Sequence, residues 1–74
     1  MAITNIAGGA SGNTGALAAD TLIQVADGKV SLSTDAGTTK IPFSAGEKVV
    51  FSSGLTVHYF NDQPIPAQIR SMAL

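Results

Sequence analysis

Glu47–Phe60, EKVVFSSGLTVHYF, is the stretch whose reading decides the fold. Two apolar runs, Glu47–Phe51 and Leu55–Phe60, flank a tight Ser52-Ser53-Gly54 turn. Short runs of β-branched and aromatic residues bounded by turn formers predict strands. Two of the three Phe residues and the only Tyr lie here, so the largest core side chains come mostly from this stretch. Side chains alternate along a strand, which puts Val49 and Phe51 on one face and Lys48 and Val50 on the other. Leu55, Val57 and Tyr59 point one way, and Thr56, His58 and Phe60 the other. Both faces of this second strand carry apolar residues, so both should be covered, by the chain itself or by a neighbour.

Working outward from there, Lys40–Phe43 is a short strand that Pro42 confines to an edge or a bulge, because proline cannot donate to a ladder. Thr34–Thr39 (TDAGTT) is a loop. Thr21–Val25 and Lys29–Ser33 predict a β-hairpin, with Asp27-Gly28 as its two-residue turn. Residues 1–20 are dominated by Ala, Gly, Ser, Asn and Thr, and form an N-terminal arm, either flexible or ordered only on a partner. Ile3 and Ile6 are its expected anchors. On the other side, Asn61–Pro64 is a polar turn. Ile65–Leu74 fits a strand, with Ile65, Ala67 and Ile69 on one face, or a helix, with Ile65, Ile69 and Met72 on one stripe. Its β-branched residues and early Pro66 favour the strand. The expected fold is all-β: a small sandwich or barrel of short antiparallel strands over 21–74, preceded by the extended arm of 1–20.

Composition narrows the function. Seventy-four residues make a single domain. A chain this short buries only about 60% of its unfolded surface, and small scaffolds without staples often gain stability by oligomerising. Cysteine is absent, so neither a disulfide nor a thiolate metal site can form. Charged residues make up 12% of the chain against about 25% in an ordinary soluble domain, which points to a surface that faces protein. The four basic residues are scattered and the net charge is −1, unlike the clustered basic surface that nucleic acid requires. No segment approaches the roughly 20 apolar residues of a membrane span, and the N-terminus lacks the positive start of a secretory signal.

No catalytic, cofactor-binding or metal-binding constellation is expected. His58 is the sole general base at neutral pH, and no nucleophile motif surrounds it. A lone His in a strand is more often a surface or interface residue, with a pH-sensitive contact at a subunit boundary as the remote alternative. Gly8–Gly15 resembles a phosphate loop, but no lysine precedes position 29 and no helix follows. The acids at 27, 35 and 62 lie in turns, where aspartate supports backbone geometry. Tyr59 and Phe60 are core or interface anchors rather than a base-stacking platform, which would need a positive groove. The candidate partner-contact residues are therefore Ile3, Ile6, His58, Tyr59 and Phe60.

A chain that opens MAITNIAGG, passes through a Gly/Ala/Ser/Thr-rich arm into short strands and closes with VVFSSGLTVHYF resembles small virion proteins of tailed bacteriophages. It is most similar to the capsid decoration, or cement, proteins. That resemblance implies a non-enzymatic structural protein on the outer surface of the capsid, made in the host cytoplasm. It implies a homo-oligomer, with a trimer favoured, that clamps neighbouring subunits of the major capsid protein and so stabilises the assembled shell. No cofactor, nucleic acid or membrane is implied. The alternatives are another virion part, such as a head fibre base or tail component, and a small β-barrel module that binds protein or nucleic acid.

Overall fold

The computed structural model describes residues 2–74. It contains eight strands: β1 (Ala2–Ile6), β2 (Ser11–Ala16), β3 (Thr21–Asp27), β4 (Lys29–Ser33), β5 (Ile41–Ser44), β6 (Lys48–Phe51), β7 (Thr56–Phe60) and β8 (Ala67–Ala73). They form two four-stranded antiparallel sheets, ordered β1-β8-β3-β6 and β2-β7-β4-β5. The all-β sandwich expected from the sequence is the observed architecture.

The pairing is nested. β4 pairs with β5, β3 with β6, β2 with β7 and β1 with β8. The chain is thus one long antiparallel ribbon, folded over so that further pairs, β3·β8 and β4·β7, complete each sheet. This is the jelly-roll arrangement.

Alternation along the strands builds the core. Ile23 and Val25 of β3 and Ile69 of β8 point inward from one sheet, and Val30 and Leu32 of β4 and Val57 of β7 from the other; all are buried. Ile6 and Ala67 extend this core, and Phe43, Val49, Phe51 and Tyr59 pack against it.

The order of strands corrects two expected hairpins. β3 and β4 lie in different sheets, and so do β6 and β7. Among the described residues only the β4–β5 connection stays within one sheet. Gly28 keeps the positive φ that its turn chemistry predicts, at 75°, but it serves a corner between sheets. An added Cβ there would sit 3.0 Å from the Cβ of Ala67, so the corner is also tightly packed.

The expected arm also differs. Its residues form β1 and β2, ordered on this chain's own β8 and β7. The strands are poor in large apolar side chains, and backbone pairing substitutes for them. Among the described residues of this segment Ile6 enters the buried core, and Ala10 and Leu17 pack against it. The buried Asn61 adds a second tie, its side-chain amide donating to the carbonyls of Ile6 and Ala7. The C-terminal segment resolves as strand β8.

Candidate functional site: the cleft between the edge strands

β5 and β6 are edge strands, one in each sheet, and the sandwich is open between them. Val30 pairs with Phe43 and Leu32 with Ile41 across β4 and β5. Cross-strand partners point to the same face, so Ile41 and Phe43 point inward with Val30 and Leu32. Ile41 is nevertheless 57% exposed, because nothing among the described residues covers it. A cleft of about 140 Å³ lies there, walled by Leu32, Ile41 and Phe43 from one sheet and by Val49 and Phe51 from the other. Its rim is Ser33, the last residue of β4, with Thr34, Asp35 and Thr39 from the loop that follows. An apolar cavity of about 150 Å³ is large enough to take benzene.

The rim is held by a small hydrogen-bond network. The Ser33 hydroxyl donates to Asp35 Oδ1 at 2.6 Å and accepts from the Gly37 amide at 2.9 Å. The Thr39 amide donates to the same carboxylate oxygen at 2.8 Å. These donors, the Ser33 hydroxyl first, hold the Asp35 carboxyl below the ordinary aspartate range. The loop therefore keeps a fixed negative charge at the mouth of an apolar cleft.

The candidate contact residues read from the sequence do not converge. Ile3 is 57% exposed on β1, whereas Ile6 is 3% exposed in the core. His58 lies on the other sheet, half-buried, between Asn13 and Ser33 of the flanking strands. Tyr59 packs against the core. Phe60 is covered from within the chain: the Lys40 ammonium sits 4.2 Å from its ring centroid. The expected cover on both faces of β7 is thus supplied in part by the β4–β5 loop. The cleft itself escapes sequence reasoning, because its walls come from three strands in two sheets. The one available signal was Pro42, which marks β5 as an edge.

Among the described residues no three His, Cys, Asp or Glu side chains gather so as to hold a metal ion. The space between the sheets is lined with aliphatic groups, which offer no donor to one.

No protein-family model matches the sequence, and no curated protein matches it. Solved structures do. A cupin superfamily protein from Desulfitobacterium hafniense superposes with a TM-score of 0.80 at 15% identity, over 97% of this chain and 62% of that protein. The cupin domain of an XRE-family transcriptional regulator from Enterobacter cloacae gives 0.80 at 18% identity, over 93% of this chain and 73% of the other. A predicted oxalate decarboxylase from Thermotoga maritima gives 0.77 at 15% identity, over 97% and 64%. The chain spans less than two thirds of the Desulfitobacterium and Thermotoga proteins. At these identities the likeness establishes the fold. It also overturns the resemblance to phage capsid decoration proteins, and with it the role of a cement protein on a virion. That resemblance rested on small size, β content, low charge and a small-residue N-terminus, none of which is specific to a virion protein.

Proposed function

We propose that this chain is a cupin-fold binding domain, not a catalyst, and that it takes a small, mainly apolar molecule into the cleft between β5 and β6. The observation that carries this reading is Ile41, a large apolar side chain pointing into the sandwich yet 57% exposed, beside a cleft of about 140 Å³. Burying apolar surface yields roughly 25 cal/mol per Å², so an apolar guest seated on Ile41, Phe43 and Phe51 gains affinity from water release alone. The hydroxyl residue opposite His58 is Ser33, whose hydroxyl donates to Asp35 and not to the imidazole, which supports binding over catalysis. A shared fold carries no activity by itself, so the oxalate chemistry in the name of the Thermotoga protein is not extended to this chain.

The test is a titration of isotope-labelled protein with toluene, followed by amide resonances. Shifts confined to Leu32, Ile41, Phe43, Val49 and Phe51, with a dissociation constant on the order of 1 mM, support the reading. Ile41→Trp, which places an indole in the cleft, should abolish them without lowering the melting temperature. Uniform shifts, or none, would overturn it.

A further inference from the structure

Asp35 is the only charged residue among the nine that line the cleft. The four Lys and Arg side chains are directed elsewhere, Lys29 from the opposite end of β4 to Ser33. Lys40 sits over the Phe60 ring on the outward side of β7. Lys48 alternates with the inward-facing Val49 and Phe51, so it points out of the sandwich. Arg70 pairs with Gln24 and Ile3 and is exposed on the outer face of its sheet. The other carboxylate of the neighbouring turn, Glu47, is engaged in accepting from the Ser44 amide at 2.6 Å. None of the four Lys and Arg side chains therefore faces the charge at the mouth.

The Asp35 carboxylate is also fixed in place. Its Oδ1 takes the Ser33 hydroxyl and the Thr39 amide, and a carboxylate offers about four lone-pair sites in all. Acceptor capacity is left over for a donor arriving from the cleft. Ser33 and Thr39, the residues that orient it, line the same cleft.

Resting on the binding role proposed above, we infer that the cleft selects a small apolar molecule carrying one ammonium group and discriminates against carboxylates. The apolar body lies on Ile41, Phe43 and Phe51, and the ammonium meets Asp35 at the rim. This charge class is opposite to the oxalate in the name of the Thermotoga neighbour.

Three probes of one shape test it: benzylamine, benzyl alcohol and benzoate, titrated at neutral pH and low salt into labelled protein. The amides of Leu32, Phe43 and Phe51 report occupancy. Benzylamine should bind roughly two- to fivefold tighter than benzyl alcohol, the range expected of a solvent-accessible ion pair. Benzoate should bind more weakly than the alcohol, and added salt should narrow the spread. In Asp35→Asn, which keeps an oxygen for Ser33 and Thr39, the three affinities should converge on that of the alcohol. Equal binding of all three by the wild type would overturn the charge preference and leave the binding role standing. Binding of none would overturn the binding role as well. A preference that persists unchanged in Asp35→Asn would assign it to another group and overturn the inference.

Discussion

The side-chain amide of Asn61 donates to the Ile6 carbonyl at 3.1 Å, which ties the end of β7 to the end of β1. The same amide donates to the carbonyls of Ala7 at 3.2 Å and Ile65 at 2.8 Å, and its oxygen accepts from the Gln63 amide at 3.1 Å. With Asn61 only 1% exposed, water cannot replace these bonds. One side chain thus serves the corner between β1 and β2 and the corner between β7 and β8.

Asn61→Leu should cost about 2–4 kcal/mol, because it leaves several buried polar groups without a partner. Asn61→Asp should do at least as much, since it removes both donors and buries a charge. Urea unfolding monitored by circular dichroism measures both. The neighbouring exposed Asp62→Asn should change stability by less than about 0.5 kcal/mol.

Deleting residues 2–16 should unfold the domain rather than release a tail. It strips β1 from β8 and β2 from β7 and removes Ile6 from the core. The two isoleucines should separate cleanly. Ile6→Asp should abolish folding, because an unpaired carboxylate would enter the core. Ile3→Asp should be tolerated. A one-dimensional proton spectrum distinguishes dispersed from collapsed resonances.

Gly28→Val should destabilise by about 1–3 kcal/mol, the range for a β-branched residue forced into left-handed backbone. Contact with Ala67 adds to this. Gly28→Asn should cost less, because asparagine tolerates that conformation better. Thermal melts of the two variants should rank in that order.

The β4–β5 loop should loosen in acid. Asp35 has its pKa depressed in the folded chain, by Ser33 first and then the Thr39 amide. Such a group contributes stability above its unfolded value, about 3.9, and that contribution is lost as pH falls through the lower folded value. The amides of Gly37 and Thr39 should therefore stay protected from exchange at neutral pH and lose protection below about pH 4. Asp35→Asn should remove that pH dependence at Thr39.

Strand positions were legible in the sequence and strand partners were not. Thr21–Asp27, Lys29–Ser33, Lys48–Phe51 and Thr56–Phe60 fall within two residues of where alternation predicts them. Asp27-Gly28 and Ser53-Gly54 signal a reversal with positive φ, and that requirement is the same whether the chain returns beside itself or crosses to the facing sheet. Turn chemistry is local, and sheet membership is not. The strands β1 and β2 hid for a related reason: Ala, Gly, Ser and Asn carry no alternation, and their order comes from partners roughly forty to seventy residues away in sequence. Asn61 looked like a turn residue because its burial depends on two corners meeting around it. The cleft was illegible because Leu32, Phe43 and Phe51 become neighbours only once the sheets face each other.

Nesting has a kinetic consequence. Ala2 finds Ser71 across nearly the whole chain, and loop-closure entropy makes that encounter unfavourable as a first step. Once β4 and β5 have joined around the 34–40 loop, each following pair spans only the short gap left by the one inside it. Folding should therefore zip from the middle outward, on the millisecond-to-second scale of chains dominated by distant contacts, with the terminal strands last. A circular permutant that joins the two ends and is opened within residues 36–38 would keep every strand pair yet invert this sequence of events. Its first closure would be β1 with β8, the step that the natural order leaves to the end.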